Sequence, residues 1–506
     1  MNQRLRPLFG SLGARPLPWF LLGVAVFLYL RLFVLPFTPI LMGGDQSFFL
    51  TYASRMLDGQ LMYRDFFQFT PPGTSLVYLA LFEAFGKRAW IPNVLILVLG
   101  VSLTWLTVSI SRKIMGRGSA FLAGLLFLTF IYVYILDATH HRYSLLAVMA
   151  AVAVVIERRA LARLIAAGAL CGAASFFTQS RGAIVLIAFS IFLVWETRSR
   201  KQGWAWLVTR GIALYLAFAA TLVAANAYFI WTAGLARVVY CQVTFFLKHL
   251  PSSGQYMVAL PHVPPWPYFP KLAIFLFIHA LLPLVYLLFF ARYYHGAKSR
   301  PAEHWDRLML VNIVGLLLFT EVVPAVNWIR LFSVALPALI VFVWFVSRPG
   351  WLYATIERSL WVITLTLALT EPWRTQRHWR VYLDLPVGRA AFTDKGFYDK
   401  CAWLLDRTRP RQFLFEGAAA GLYFPLDLRN PAYLDKIGTH GYGQPEQIQQ
   451  VIESLESHRV QFVIWSSGLR PDGGGDHLGP LRAYLRAHYR LVKIFFDSEE
   501  AWERNP

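Results

Sequence analysis

Long apolar runs separated by short polar breaks recur from Leu17 to about Thr370, and beyond Glu371 the pattern changes. A bilayer-spanning helix needs about 20 mostly apolar residues. The runs therefore predict spans at Trp19–Phe37 and at about 90–111, 119–136, 143–156, 160–178, 183–196, 211–231, 271–291, 308–323, 331–347 and 351–370, about eleven in all. The stretch Thr74–Gly86 is apolar but too short, and a crossing there would put every later basic loop on the wrong side, so it is predicted as a juxtamembrane helix. The last span carries Glu357 and Arg358, which are costly deep in a bilayer. It is still predicted to cross, because Ser359–Leu369 is strongly apolar.

The tail alternates on a shorter scale. Phe413–Phe415, Phe462–Trp465 and Leu491–Phe496 are strand candidates, Pro445–His458 reads as a helix, and Asp472–Asp476 as a turn. Those glycines match neither a dinucleotide nor a P-loop pattern. The fold class expected is an all-α polytopic membrane protein, with juxtamembrane helices in its first outer loop and a small C-terminal α/β soluble domain. The expected division is a transmembrane unit over 1–370 and a soluble unit over 371–506.

Composition agrees, at 57% hydrophobic and 15% charged residues. A formal net charge of +20 in a soluble protein would suggest nucleic acid. Here the basic residues fall in alternate loops: Arg4, Arg6, Arg15; Arg112, Lys113, Arg117; Arg158, Arg159, Arg163; Arg198, Arg200, Lys201, Arg210; and Arg292, Lys298, Arg300, Arg307, with Arg348. By the positive-inside rule the N-terminus is cytoplasmic, and the 38–73 loop and the tail lie outside a cytoplasmic (inner) membrane, with no nucleic-acid partner expected. The first apolar run is longer than a signal-peptide core and lacks a small-residue cleavage site, so it should remain as an anchor. Cys171, Cys241 and Cys401 are far apart with no CxxC, which predicts neither a disulfide framework nor structural zinc.

Chemistry concentrates in the first outer loop. Gly43, Gly44 and Asp45 precede Gln46–Asp58, where Phe48, Phe49, Tyr52 and Met56 recur at helical spacing among Gln46, Ser54, Arg55 and Asp58. The pattern predicts an amphipathic helix lying on the membrane surface with Asp45 at its start, where an Asp can also serve simply as an N-cap. Gly59–Asp65, containing Tyr63-Arg64-Asp65, and then Pro71-Pro72-Gly73 follow.

Over about residues 17–115 this run resembles the first external loop of GT-C glycosyltransferases of the protein O-mannosyltransferase and aminoarabinose transferase branch. The resemblance implies a membrane transferase that moves a sugar from a polyprenyl-phosphate donor to an extracytoplasmic glycan, lipid or protein acceptor, with inversion. It implies Asp45 as the base. A carboxylate that deprotonates the acceptor, with cations to hold the departing phosphate, suffices for this chemistry. Two departures bear on donor and acceptor contacts: Gln46 stands where many relatives carry Glu, and Phe69-Thr70 stands where a charged residue often precedes the prolines.

Candidate substrate-binding residues are Gln46, Arg55, Asp65, Asp137, Arg142, Arg181 and Arg330, with Arg64, Lys248 and His249 as further outer cations. Arg181-Gly182 matches a basic residue followed by Gly at an outer helix junction in relatives, and guanidinium suits bidentate phosphate binding. The alternative for each arginine is headgroup contact or snorkelling. Asp137 resembles an acidic residue that relatives carry after their third span. The run Asp137–Arg142 holds two His, but adjacent His on a helix should diverge and the spacing is no zinc signature, so no metal is predicted and no cofactor beyond the lipid-linked donor. Pro261–Pro267 is a rigid segment, enclosing a lipid or acceptor or merely connecting spans. Two other classes remain: a transporter or flippase, which would show charges along a path through the spans or duplicated halves, and a non-catalytic GT-C relative.

Overall fold

The computed structural model describes residues 16–248, 269–296, 304–322, 328–378, 380–439, 444–466, 469–470 and 476–506. Arg4, Arg6, Arg15, Lys298, Arg300, His249, Pro261–Pro267 and Asp472–Gly475 lie outside the described residues.

The predicted spans fall on apolar helical stretches, although the first helix ends at Leu32 rather than Phe37 and the stretches at about 119–136, 271–291 and 331–347 are each built of more than one helical segment. In chain order the helices are α1 (Pro16–Leu32), α2 (Gln46–Leu57), α3 (Gly73–Phe85), α4 (Ile91–Ser111), α5 (Arg117–Leu126), α6 (His140–Val155), α7 (Leu161–Phe177), α8 (Gln179–Ser199), α9 (Trp204–Ala233), α10 (Leu235–Val239), α11 (Phe245–Lys248), α12 (Phe269–Leu276), α13 (Leu282–Gly296), α14 (Trp305–Val322), α15 (Trp328–Val334), α16 (Leu336–Val346) and α17 (Trp351–Arg377). Among the described residues, six helical stretches are long and apolar enough to cross a membrane by themselves: Ile91–Ser111, Arg117–Tyr134, Gln179–Ser199, Trp204–Ala233, Phe277–Gly296 and Trp351–Arg377. The protein is an all-α polytopic membrane protein with a small α/β tail. Thr74–Gly86 forms α3 beside the bundle, as a juxtamembrane helix.

Close approach dictates two glycines. A Cβ on Gly73 would lie 2.7 Å from the Phe176 carbonyl oxygen and 2.8 Å from the Phe177 ring, so Pro71-Pro72-Gly73 can seat α3 on the end of α7 only with glycine there. A Cβ on Gly182 would lie 2.0 Å from the Cys171 carbonyl oxygen and 2.5 Å from Ser175 Oγ, where α8 folds back on α7. The charge in the last span is also accounted for. Glu357 of α17 accepts hydrogen bonds from Ser119 Oγ (2.8 Å) and Ser347 Oγ (3.4 Å), which lowers the cost of carrying a carboxylate in an apolar helix.

Between the predicted spans at 211–231 and 271–291, the chain is helical through Lys248, with α10 and α11 joined by a π turn over Tyr240–Thr244. Gln242 on that turn donates to Tyr63 Oη (2.9 Å) and Asn226 Oδ1 (3.2 Å), packing the segment against the first outer loop and α9.

The tail opens with a hairpin, β3 (Val381–Leu385) against β4 (Gly388–Phe392), after the two-residue strands β1 (Phe33–Val34) and β2 (Thr38–Pro39) that follow α1. Then come α18 (Lys395–Leu405), β5 (Leu414–Glu416), α19 (Pro445–Ser457), β6 (Phe462–Trp465), α20 (Gly479–His488), β7 (Tyr489–Ile494) and β8 (Glu500–Arg504). The sheet order is β5-β6-β8-β7, with β5 and β6 parallel and the other pairs antiparallel. The three expected strands and the expected helix are present. The hairpin, α18, α20 and β8 are additions.

The tail is docked on the first outer loop. Leu41 N donates to Ala391 O (2.8 Å), Ala89 N to Val387 O (2.9 Å) and Phe67 N to Tyr433 O (2.8 Å). Phe82 stacks on Phe424 at 5.5 Å, Lys87 pairs with Asp427, and Asp58 pairs with Arg411 (3.1 Å) and Arg429 (2.8 Å). This corrects the amphipathic surface helix. The polar residues Ser47, Thr51, Ser54 and Arg55 of α2 are buried, and Thr51 Oγ1 reaches Ala420 O at 3.3 Å, so tail rather than water covers that face.

Two outcomes follow. Gly182→Ala should lower the thermal midpoint of the detergent-solubilised protein, overpacking costing about 1–3 kcal/mol, whereas Gly118→Ala, with nothing within 4 Å of its added Cβ, should not. Asp435→Ala should release the tail to limited proteolysis, since it strands Arg55 without its 2.8 Å partner at a cost of about 3–5 kcal/mol. The apolar double change Arg55→Met with Asp435→Leu should restore most of that resistance.

Candidate active site

Asp45 sits where the chain turns into α2, just after Gly44 at φ +81°, a conformation glycine adopts without strain. The Asp45 backbone is already helical (φ −58°, ψ −24°) and its side chain makes no capping hydrogen bond. The N-cap alternative therefore fails on geometry. The residue is exposed, and among the described residues its carboxylate forms no hydrogen bond or ion pair.

The next residue fixes what faces Asp45. Gln46 is fully buried, and its Oε1 accepts from Ala138 N at 2.8 Å. Tyr78 of α3 donates to Ala138 O at 3.1 Å. Pinned from both sides, the junction between α5 and α6 holds Asp137 within electrostatic range of Asp45. Burial lifts the Asp137 carboxyl above its ordinary value, Arg142 and a hydrogen bond from Thr139 Oγ1 (3.1 Å) oppose this, and the Asp45 charge adds to it. Arg142 folds back on the same junction: Nε donates to Asp137 (3.3 Å), Nη2 to Ile135 O (2.7 Å), and the guanidinium lies 4.8 Å over the Tyr132 ring. Gln46 Nε2, Arg142 Nη1, His140 Nδ1 and Tyr143 Oη are buried without a partner among the described residues, a polar wall lacking complements.

Two histidines link this wall to Arg181. The His140 ring lies 5.4 Å from Phe49 of α2 and 3.9 Å from His141, so the adjacent rings lie together rather than diverging. Arg181 is buried and uses its whole fork. Nε donates to Glu321 (3.2 Å), Nη1 to His141 O (3.0 Å) and Ser144 Oγ (3.1 Å), and Nη2 contacts His141 Nδ1 (3.4 Å) and donates to Ser333 Oγ (3.1 Å). Against the expectation of an open phosphate clamp, Arg181 is engaged by protein. Arg330 is half-buried on α15 and lies in the field of His140 and His141.

Arg55 and Asp65 are elsewhere. At about 1.5 Å per residue, Arg55 is roughly 15 Å along α2 from Asp45. Its Nη1 pairs with Asp435 (2.8 Å), Nε donates to Gln60 (2.6 Å), and its guanidinium lies 4.7 Å over Phe66. Asp65 pairs with Arg64 (2.8 Å) and accepts from Leu61 N (2.8 Å), closing the turn after α2. Arg55 thus ties α2 to the tail, while Asp65 serves the turn locally.

Sequence reading missed three groups. Glu321, at the outer end of α14, is the counter-ion of Arg181; an acid closing an apolar run was its visible trace. Ser333 is a plain serine beside Arg330 and gave no signal. Lys436, from the tail, lies over the Phe48 ring at 6.0 Å and in the field of Asp45, and no motif marks it. Among the described residues no three His, Cys, Asp or Glu side chains gather in a metal-binding group. A small crevice of about 10 Å³, room for roughly one water, lies between bundle and tail, lined by Met42, Ser47, Leu50, Phe397, Gly421 and Phe424 among others.

No family model matches the sequence, and no curated protein does. Solved structures do. The chain is similar to ArnT from Cupriavidus metallidurans bound to undecaprenyl phosphate, with a TM-score of 0.58 at 11% identity, over 99% of this chain and 98% of that one. Against the apo form of the same protein the TM-score is 0.55 at 13% identity, over 96% and 97%. From the first described helix through the tail, this chain shares the fold of ArnT.

Proposed function

We propose that the protein is an inverting glycosyltransferase that moves one sugar from a polyprenyl-phosphate donor to an acceptor on the extracytoplasmic face of the cytoplasmic membrane. One observation carries the reading: Asp45 presents an exposed, unengaged carboxylate at the seam of membrane bundle and tail, in a fold whose ArnT example is bound to undecaprenyl phosphate.

In this mechanism Asp45 takes the proton of the acceptor hydroxyl or amine as its oxygen or nitrogen attacks the anomeric carbon. The bond from that carbon to the phosphate oxygen breaks, and its electron pair leaves with the polyprenyl phosphate. A single in-line displacement inverts the centre and needs no glycosyl-enzyme intermediate. Gln46 and Tyr78 hold Asp137 opposite, and Arg142 keeps that carboxylate paired. The Arg181 network holds His141 rather than gripping phosphate. The polyprenyl chain lies against the apolar helices.

Charge placement supports surface chemistry over passage through the membrane. Arg159, Glu196 and Asp306 form a buried ionic cluster at one end of α8, and Arg181 pairs with Glu321 at the other. These clusters close the two ends of a helix instead of lining a path between them.

Asp45→Asn should leave the thermal midpoint unchanged and reduce transfer by about 10²–10⁴-fold, the usual size of a general-base contribution. Mass spectrometry of envelope glycans and glycolipids, compared between cells carrying the wild type, the Asn variant and no gene product, reads this out and names the acceptor class. A product missing only in the null cells, and restored by Asp45→Asn as well as by the wild type, would remove Asp45 from the mechanism.

A further inference from the structure

We propose that Lys436, delivered by the C-terminal tail, is the cation that receives the donor phosphate at the Asp45 site, an inference that rests on the donor reading above.

The tail fixes the position of residue 436 firmly. Asp435 pairs with Arg55 at 2.8 Å and accepts from Asn430 Nδ2 at 2.6 Å, both inside the seam. Tyr433 on one side accepts from Phe67 N (2.8 Å) and donates to Tyr63 O (3.0 Å), and Ile437 N on the other donates to Gly417 O (2.8 Å). Residue 436 is thus held between anchors on both sides, facing the N-terminal half of α2. A buried ion pair such as Arg55–Asp435 adds little net stability, because desolvating both charges offsets most of their attraction. Register is what it specifies: a slip of one residue would carry Lys436 off the Asp45 end of the helix.

Position then gives chemistry. The Lys436 ammonium is 6.0 Å from the centre of the Phe48 ring, three residues from Asp45 in sequence and one helical turn away in space. Half-burial draws the Lys436 pKa down and the Asp45 carboxylate opposes this, which places the two groups in one field. Three neighbouring guanidinium groups are held in place by protein partners: Arg55 by Asp435, Arg142 by Asp137, and Arg181 by Glu321, two serines and His141. An ammonium on a flexible four-carbon stem has three donors and can turn from Asp45 to an arriving phosphate without unmaking a bidentate pair. The tail then completes the site, and the donor phosphate binds at the seam between tail and bundle.

The test uses the full-length protein in lipid nanodiscs with two probes, undecaprenyl phosphate and uncharged undecaprenol, binding being read by native mass spectrometry. Wild type should prefer the phosphate. Lys436→Met and Lys436→Gln should each lose about ten- to hundredfold in affinity for the phosphate, the worth of one charge-assisted contact. Lys436→Arg should stay within a few fold of wild type, and undecaprenol binding should be the same in all four proteins. Two variants of different polarity guard against one failing to fold, which the thermal midpoint reports. If wild type prefers the phosphate and the Met and Gln variants bind it equally well, the Lys436 assignment is overturned and the donor reading stands. An Arg variant as weak as the Met variant also overturns it, since charge would then not be what Lys436 supplies. If wild type binds both probes alike, the donor reading itself falls.

Discussion

The buried pair between Arg55 of α2 and Asp435 of the tail is the contact on which the rest of the outer face depends. A helix of twelve residues carrying Ser47, Thr51, Ser54 and Arg55 on one face and Phe49, Leu50 and Ala53 on another can lie on a membrane with its polar side in water. Here it is closed on both sides, so each polar group on it must find a protein partner or incur the cost of burial. Arg55 finds Asp435, Thr51 finds Ala420 O, and Asp58 at the helix end finds Arg411 and Arg429. Once those partners are set, the tail has one position on the bundle, and the hairpin contacts to Leu41 and Ala89 extend it.

That closure is asymmetric along α2, and the asymmetry makes the site. The C-terminal end is sealed by ion pairs, while at the N-terminal end Gly43, Gly44 and Asp45 stay exposed. Behind the exposed end, Gln46 reaches through to the α5–α6 junction, so a polar wall with several unmatched atoms faces the seam. Unmatched buried polar atoms are expensive in a finished core and useful where a polar ligand supplies the complement.

The spans were legible because a bilayer imposes a length and a polarity that few other environments require. Glu357 left α17 in question on sequence alone, since its partners Ser119 and Ser347 come from other helices. In the tail, β5 and β6 were visible as buried apolar runs, whereas β8 reads Glu-Ala-Trp-Glu-Arg and pairs on both sides without a hydrophobic signature. For the site, sequence reading located Asp45, Gln46 and Asp137, each near the end of an apolar run. It also gathered Arg55 and Asp65, because a cation close to a candidate base looks functional until its partner is known. The partner of Arg55 lies 380 positions away, where no local pattern could show it. Lys436 was invisible for the same reason, reaching α2 only through the tail's docking.

The charges at the mouth can then be counted in pairs. Arg181 with Glu321 is neutral, and so is Arg142 with Asp137, each pair locked by further hydrogen bonds. Neutral locked pairs shape a wall but offer little to a transition state in which charge moves from an acceptor to a leaving phosphate. The proposed reaction calls for a base on one side and a cation on the other. Asp45 on the bundle and Lys436 on the tail are opposite in sign, share one field and come from opposite sides of the seam. In the proposed reaction a substrate that bridges the seam would meet both, which would give the firm docking of the tail onto α2 a part in the chemistry.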